Sequence, residues 1–451
     1  MSMLNDAIKA YHDILAQDGL AEATDALMRT RLKERNLYFG DRPLCVVLRP
    51  HFYIADDWAF IKGALDVLLT AFIKVHDVCR DNPAYRAQLR MDDYEEALMP
   101  YDRVGVVPWT SSRLDTFFVQ EERVLKCVEY NAETPAGIGY ADTLTEVFSQ
   151  LEPMKRFQER YNVQSLPSLG NLTNAILSAW RVWGGQESPQ VGILDWREVP
   201  TLNEHEITRD YFERMGLKTR LADPRTLEYR DGKLWAGDFR IDLVYKRVLY
   251  SELTERMSIN NPLYRALRDG AIFITNSVSA KMLAKKASLA FMSDERNASL
   301  FSKAQHAVIR AHIPFTRVIE ERKTLYDGQE VDLINLLTRE RERFVIKPND
   351  EYGGSGVLLG WETSQEVWEQ GIKHALETPH VVQERVTVVQ RDFPSWISET
   401  LDISPRYVDA DPYVFDGTSV MGCMTRLSSL SLLNVTAGGG SIVPTVLIQK
   451  K

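Results

Sequence analysis

The side chains with the clearest chemical potential lie in two strand-like segments on either side of Glu122. Side chains alternate between the two faces of a strand, so Arg113 and Asp115 share one face, and Glu129 and Asn131 share a face of the second strand. An antiparallel hairpin that turns around Glu122 would place Asp115 opposite Glu129 and Arg113 opposite Asn131. Two carboxylates and an amide oxygen would then lie side by side, with an arginine beside them.

Carboxylates directly opposed in a β-ladder repel each other, so this arrangement favours a bound cation. Hard oxygen donors select magnesium, calcium or manganese, and magnesium typically combines few protein carboxylates with substrate phosphates. We therefore expect a site for one of these hard cations on Asp115, Glu129 and Asn131. The alternative is a surface hairpin in which Arg113 pairs with one of the carboxylates.

A second motif is the segment FVIKPNDEYGGSGVLLG (344–360), a buried-looking strand followed by a glycine-rich loop and another strand. Glycines let a backbone approach phosphate oxygens, and Lys347 at the strand end adds positive charge. The glycines are Gly353, Gly354 and Gly356. No Gly-Lys-Ser/Thr follows, and the strand-loop-strand order differs from a Rossmann fingerprint. A glycine-rich hairpin with a surface lysine is the alternative for the loop taken alone.

A third motif, HVVQERV (380–386), has an apolar run that ends in Gln383-Glu384. As an edge strand it could present backbone groups to an adenine and a carboxylate to a ribose. The alternative is an ordinary strand with a charged end. The order of lysine strand, glycine loop, helix and edge strand is more specific for nucleotide binding than any one part.

The elements around these motifs indicate a mixed α/β fold with more than one packed unit. Apolar residues at helical spacing over 3–34 predict one or two helices, broken near Asp18-Gly19. Residues 45–54 predict a strand, and residues 276–293 predict a helix. From 151 to 270, helices and strands alternate, which is typical of a small open α/β sheet. LEYRDGKLW within it carries an Asp-Gly hairpin signal.

Composition bounds the class of protein. The 451 residues carry a formal net charge of -9, which argues against a dedicated nucleic-acid binder but not against a nucleotide site. The N-terminal segment lacks the order of a signal peptide, and no apolar stretch is long enough to span a bilayer. A cytoplasmic location with no membrane partner is expected. No metal-site or disulfide spacing links the four cysteines, Cys45, Cys79, Cys127 and Cys423.

These motifs resemble a known family. EYNAETPAG (129–137) is similar to the EYNADTP segment of glutathionylspermidine synthetases, and Arg113-x-Asp115 resembles their Arg-x-Asp pair. The chain also resembles circularly permuted ATP-grasp proteins, in which the metal-binding strand lies early in the sequence. Eukaryotic glutathione synthetase shares that permutation and has a similar loop of lysine, proline, glutamate and glycines. The resemblance covers residues 113–140 and 240–445.

The resemblance implies a circularly permuted ATP-grasp fold with a small Rossmann-like sheet. Residues 1–150 would form an N-terminal α/β segment that carries the metal-binding hairpin. Residues 151–270 would form a Rossmann-like substrate domain, and residues 271–451 the ATP-grasp lobes.

It also implies roles for individual residues. Arg113 and Arg426 would stabilise charge during phosphoryl transfer. Magnesium would lie on Asp115, Glu129, Asn131 and Glu351. ATP would contact Lys347, Gly353, Gly354, Gly356, Gln383, Glu384 and Val386, with Lys286 and Arg317 as candidates for a further cation. The substrate side would include Arg247, Asn434, Gly438 and Gly439.

The implied activity is an ATP- and magnesium-dependent ligation of a carboxylate to an amine through an acylphosphate. The loop DEYGGSG differs from the loop of glutathionylspermidine synthetases, so glutathione and spermidine are not assumed as substrates. Two rivals are an ATP-grasp phosphotransferase and a non-catalytic nucleotide-binding protein. Retention of the arginine, both carboxylates and the asparagine argues against the second rival. Neither the substrates nor the oligomeric state can be deduced from the sequence.

Overall fold

The computed structural model describes residues 3–430 and 440–451. Helices and strands are mixed throughout that part of the chain. The helices are α1 (Met3–Leu15), α2 (Leu20–Glu34), α3 (Ala55–Asp81), α4 (Pro83–Arg86), α5 (Asp93–Leu98), α6 (Ile138–Gln150), α7 (Glu152–Gln158), α8 (Leu169–Trp183), α9 (Leu202–Arg214), α10 (Tyr250–Met257), α11 (Pro262–Arg268), α12 (Lys281–Ala284), α13 (Ala287–Ser293), α14 (Lys303–His312), α15 (Leu333–Arg339) and α16 (Gln365–Glu377).

The strands are, in chain order, β1 (Tyr38–Phe39), β2 (Arg42–Pro43), β3 (His51–Ile54), β4 (Ser111–Val119), β5 (Val124–Asn131), β6 (Tyr161–Ser165), β7 (Val191–Leu194), β8 (Thr219–Ala222), β9 (Leu227–Arg230), β10 (Lys233–Ala236), β11 (Phe239–Ile241), β12 (Leu243–Lys246), β13 (Phe273–Thr275), β14 (Thr316–Val318), β15 (Lys323–Tyr326), β16 (Gln329–Asp332), β17 (Phe344–Pro348), β18 (Leu358–Leu359), β19 (His380–Glu384), β20 (Gln390–Ile397), β21 (Thr400–Val408), β22 (Asp411–Phe415), β23 (Ser419–Ser428) and β24 (Gly440–Lys450).

Several local predictions are confirmed, and others need correction. The break between α1 and α2 falls where predicted, because Gly19 adopts the left-handed backbone conformation at φ 69°. The strand predicted over 45–54 is only His51–Ile54, since Pro50 has no backbone N–H for a ladder. The helix predicted over 276–293 is interrupted at Lys285, whose extended backbone separates α12 from α13.

A nine-stranded sheet joins the two ends of the chain. Strands β3 to β6 come from the first 165 residues of the sequence, and β20 to β24 come from its end. Strand β22 pairs antiparallel with β4, so that Tyr413 lies opposite Arg113. Strand β24 pairs with β23 and also with β3 and β6. The sheet therefore brings the early hairpin beside the C-terminal strands, as the permuted order requires.

The β4–β5 hairpin has the predicted register at its chemical end. Arg113 lies opposite Asn131, and Asp115 lies opposite Glu129. A β-bulge follows, because Val128 is an extra residue in β5, and Val119 then pairs with Val124. The turn consequently spans residues 120–123 instead of centring on Glu122. The bulge lies next to Glu129, where it changes the direction of the strand at the cavity.

The segment after β6 contains an open parallel sheet, as the alternating pattern predicted. Its strand order is β13-β12-β7-β8, and all three pairings are parallel. The Asp-Gly hairpin between β9 and β10 is confirmed, since Asp231 and Gly232 have the positive φ values that a tight hairpin turn needs. The division of the chain into three units remains a prediction.

A small lobe carries the glycine loop. Its antiparallel sheet has the order β14-β19-β17-β18, with α15 and α16 packed around a separate apolar core. Strand β19 is internal, between β14 and β17, so the expectation of an edge strand was wrong. Its buried apolar residues favour an internal position with partners on both sides. Strand β19 ends at Glu384, and beyond that residue the chain is no longer paired with β14 or β17.

Two further expectations concern the whole chain. All four cysteines are buried and free. Among residues 3–430 and 440–451, no helix combines the length and apolar character needed to cross a membrane.

Candidate active site

A cavity of about 1340 Å³ opens where the β4–β5 hairpin, the small lobe and the parallel sheet face one another. It brings together residues that are far apart in the sequence. The predicted site residues that line it are Arg113, Asp115, Glu129, Asn131, Arg247, Lys286, Lys347, Glu351, Gly353, Gly354, Gln383, Glu384, Val386 and Arg426.

Asp115 is the most strongly held group at the hairpin end of the cavity. Arg113 donates to it through Nε and Nη2 at 2.9 and 3.1 Å, and Asn131 donates to it at 2.8 Å. Burial alone would raise the pKa of Asp115, but the guanidinium groups of Arg113 and Arg426 outweigh it and hold that pKa well below its usual value. Asp115 is therefore a carboxylate at neutral pH.

Arg426 joins this cluster from strand β23. Its Nη2 donates to Asp115 at 2.7 Å, and its Nε donates to Asp409 at 2.6 Å. Asp411 Oδ2 lies 2.9 Å from the same Nε, although no hydrogen bond satisfies that oxygen. Burial raises the pKa of Asp409 and Asp411 above the ordinary value. The two aspartates fix the direction of Arg426.

Glu129 projects from the opposite strand and reaches the small-lobe side. Its side chain is 24% exposed, and Lys286 Nζ lies 3.2 Å from its Oε1. The same ammonium group donates to the backbone carbonyl of Glu351 at 2.6 Å. Lys286 thus connects the hairpin carboxylate to the glycine loop.

Lys347 lies at the end of β17 and points into the same region. Its Nζ donates to Gln383 Oε1 at 2.7 Å and lies 3.4 Å from the Val128 carbonyl. Burial lowers the pKa of Lys347 to about 8, although Glu129 opposes that shift. No carboxylate forms a direct ion pair with its ammonium group among the described residues, which leaves its charge available to an anion.

This pKa makes a prediction about nucleotide affinity. If Lys347 binds phosphate, its protonated form is the binding form, and bound ATP raises its pKa. The Kd for MgATP should therefore stay level below the free-protein pKa of about 8. Above it, Kd should rise by up to about tenfold per pH unit until the lysine of the complex also loses its proton. Isothermal titration calorimetry between about pH 7 and pH 9.5 measures this.

Lys347→Arg is the control, because arginine stays protonated throughout that range. Other groups, including those of ATP itself, titrate equally in both proteins. The difference between the two curves of Kd against pH therefore reports the titration of Lys347. Parallel curves would contradict a phosphate role for the lysine.

The remaining nucleotide-side residues divide into those at the cavity and those away from it. Glu384 accepts from the Tyr326 hydroxyl at 3.0 Å and lines the cavity with Val386. Arg317, in contrast, is absent from the described cavity wall; it is buried and forms an ion pair with Glu295 at 2.7 Å. Gly356 lies in an adjoining pocket of about 560 Å³ behind the loop.

On the substrate side, Arg247 follows strand β12 at the carboxyl end of the parallel sheet. It donates to the Pro135 carbonyl at 2.6 Å and lines the cavity together with Asp195, which follows β7. Ligands of open α/β sheets bind at such strand ends, where the strand order reverses. Asn434, Gly438 and Gly439, also predicted on this side, lie outside the described residues.

Some cavity residues were not assigned a role from the sequence. They are Glu133, Lys281 and Asp350, which form an ion cluster around the buried Lys281. Asp409 and Asp411, which are buried beside Arg426, also had no assigned role. Asp409 and Asp411 are two residues apart in the DADPYVF segment, a spacing that would place both on one face of a strand. Lys281 gave no such signal, because it lies within a helical, lysine-rich stretch.

The hairpin residues are chemically suited to magnesium. Asp115, Glu129 and Asn131 offer two carboxylates and an amide, the hard oxygen donors that this ion prefers. All three line the cavity, and each lies on one of two directly paired strands. Glu351, the fourth predicted ligand, lines the same cavity from the glycine loop.

Comparisons with known proteins agree with this architecture. The family model for circularly permuted ATP-grasp type 2 matches residues 118–428, more than half of the chain. That range includes Glu129, Lys347 and Arg426 and begins just after Asp115. No curated protein sequence matches the chain significantly.

Two solved structures give a measure of the likeness in fold. A glutathione synthetase-like effector from Globodera pallida aligns with 99% of this chain and 98% of its own, at a TM-score of 0.57 and 12% identity. At that identity the likeness concerns the fold alone. The D-alanyl-alanine synthetase A of Vibrio cholerae aligns with 58% of this chain and 89% of its own, at 11% identity. Its TM-score is 0.26, so no conclusion rests on it.

Proposed function

Because the chain belongs to the circularly permuted type 2 ATP-grasp family, we propose that it is an ATP-dependent carboxylate–amine ligase. The observation that carries this proposal is one cavity lined both by the carboxylates of the hairpin and by two lysines. Asp115 and Glu129 lie on the hairpin. Lys347 lies at the end of β17 in the small lobe, and Lys286, just before α13, contacts both Glu129 and the Glu351 carbonyl. Such a cavity suits a polyphosphate that is bridged to carboxylates by a metal ion.

The first half of the proposed reaction is phosphoryl transfer. A substrate carboxylate oxygen attacks the γ-phosphorus of ATP, ADP leaves, and an acylphosphate forms. Lys347 and Lys286 hold the phosphates, while Arg113 and Arg426 offset the charge that develops on the transferring group. Bound magnesium, held by Asp115, Glu129 and Asn131, would neutralise phosphate charge and orient the γ-phosphoryl group.

The second half is acyl transfer to an amine. The amine attacks the acyl carbon, the carbon–oxygen bond to phosphate breaks, and the amide and inorganic phosphate leave. Arg247 and Asp195, at the carboxyl ends of adjacent parallel strands, would bind the polar end of a substrate. No covalent protein nucleophile is required in this sequence of steps.

Nucleotide identity would depend on the small lobe. Strand β19 is internal, so adenine would meet the chain beyond its end, near Glu384 and Val386. The Glu384 carboxylate could accept a hydrogen bond from a ribose hydroxyl while it also accepts one from the Tyr326 hydroxyl. The buried arginine at position 317 is left out of this proposal because Glu295 already neutralises it.

The test is a screen of carboxylates and amines for phosphate release with the full-length protein, ATP and magnesium. Glutathione, small peptides and amino acids serve as carboxylates, and polyamines and amino acids serve as amines. Ligation should yield ADP, free phosphate and an amide that mass spectrometry identifies, in equal amounts. A phosphorylated product without free phosphate would instead identify a phosphotransferase. ATP binding with no turnover across the panel would favour a non-catalytic nucleotide-binding protein.

A further inference from the structure

Lys281 lies at the centre of a buried ion cluster next to the cavity. Its side chain is 2% exposed, and its Nζ lies 3.0 Å from Glu133 Oε2 and 2.6 and 2.7 Å from the two oxygens of Asp350. Glu95 is a third carboxylate, at 3.7 Å. Burial lowers the pKa of Lys281, but these carboxylates outweigh it and raise the pKa above its ordinary value. The residue is a permanent buried cation.

Glu133 connects Lys281 to the metal-binding hairpin. It follows Asn131 by two residues, just beyond the end of β5. Its other oxygen, Oε1, accepts from Lys246 Nζ at 3.0 Å and from the Tyr250 backbone N–H at 2.8 Å. The end of the hairpin is therefore fixed to the parallel sheet as well as to Lys281.

Asp350 connects Lys281 to the glycine loop. It precedes the exposed part of the loop, where Tyr352 and Gly353 face solvent. Gly353 and Gly354 both have positive φ, so this stretch has no regular secondary structure to fix its position. Through Lys281, Asp350 ties the start of this stretch to the protein core, next to the hydrogen bond from Lys286 to the Glu351 carbonyl.

We propose that Lys281 is a positioning residue that holds the glycine loop at a fixed distance from the metal-binding hairpin. It does so by binding Asp350 and Glu133 with one ammonium group. The inference rests on the proposed function, since it assigns the loop to ATP phosphates and the hairpin to magnesium. Binding ATP between two surfaces with preset spacing avoids the cost of ordering the loop.

Lys285 provides a matched comparison within the same cluster. Its Nζ lies 3.2 Å from Asp350 and also contacts Glu95 and Asp92, at 3.1 and 2.9 Å. Among the described contacts of Lys285, however, none involves Glu133. A purely structural ion cluster predicts similar effects from losing either lysine. The proposed link between Glu133 and Asp350, in contrast, requires Lys281 and not Lys285.

The experiment uses the full-length protein and four variants: Asp350→Asn, Lys281→Met, Lys281→Arg and Lys285→Met. Asp350 is partly exposed, so Asp350→Asn should fold even if Lys281→Met does not. We expect Asp350→Asn and Lys281→Met to weaken MgATP binding about tenfold, the size of one lost charge-assisted contact. Lys281→Arg should recover most of the affinity. Lys285→Met leaves the Lys281 contacts to Glu133 and Asp350 in place, so its affinity should stay within about threefold of wild type.

Hydrogen exchange of the unliganded protein gives a second readout. Amides of residues 351–356 should exchange faster in Asp350→Asn and Lys281→Met, while those of the β4–β5 hairpin stay protected. Wild-type ATP affinity and loop exchange in Asp350→Asn would overturn the inference, as would equal effects of Lys281→Met and Lys285→Met. If the wild-type protein itself does not bind ATP, the proposed function is wrong. Hydrogen exchange of residues 351–356 then still tests whether the contact between Lys281 and Asp350 holds the loop.

Discussion

Glu129→Gln is expected to reduce magnesium-dependent ATP turnover by at least about a hundredfold. The substitution removes one of two carboxylates from the proposed ligand set while preserving the size of the side chain. An amide donates only one neutral oxygen to a hard cation, so magnesium binds more weakly and the phosphates lose charge compensation. Phosphate release measured over a range of magnesium concentrations checks this, and raising magnesium should recover part of the activity.

Glu122→Gln is the matched control, because Glu122 is exposed in the turn of the same hairpin and away from the cavity. Thermal unfolding should be similar in both variants. The new amide oxygen at position 129 can still accept from Lys286, which also keeps its hydrogen bond to the Glu351 carbonyl. Unchanged turnover and magnesium dependence in Glu129→Gln would remove the metal assignment.

Lys347→Met is expected to weaken MgATP binding about ten- to a hundredfold. A hydrogen bond between charged groups contributes about 1.5–3 kcal/mol, which corresponds to this range in Kd. Folding should be little affected, because burial already lowers the pKa of this lysine to about 8 and its charge is unfavourable in the folded protein. Calorimetric titration with MgATP and a thermal melt measure the two effects separately.

Lys323→Met in the same lobe is the control, since Lys323 is exposed and pairs with Glu330 on the two-stranded sheet. It removes the same charge from the protein without touching the cavity, so it accounts for any long-range electrostatic effect. Equal ATP affinity in Lys347→Met and Lys323→Met would show that Lys347 does not contact phosphate.

The local order of the site residues could be predicted because it depends on short-range rules. Strand alternation, together with the supposed antiparallel hairpin around Glu122, placed Asp115 opposite Glu129, and the observed register agrees at this pair. The extra residue Val128 could not be predicted, since a bulge depends on how the strand meets its neighbours. Likewise, the apolar run of β19 indicated a strand but not its internal position, which depends on partners distant in the sequence.

The roles of cations were harder to predict than those of carboxylates. Lys286 and Arg317 were equal candidates in the sequence, because each is a basic residue near a helix or strand end. The fold separates them: Lys286 lies 3.2 Å from Glu129, whereas Arg317 is paired with Glu295. A long flexible side chain pairs with the anion that the tertiary structure brings near it. The distance between the cation and that anion cannot be deduced from the sequence.

By itself, the sequence determined the mixed α/β class and the motifs, since these depend on residue type and on strand and helix periods. Only the tertiary structure decided which distant segments meet. It placed β22 and β23 beside the early hairpin, so that Arg426 reaches Asp115, and it buried Lys281 between Glu133 and Asp350. Contacts of this kind span more than 60 residues of chain, and their energy depends on burial and distance, which exist only after folding.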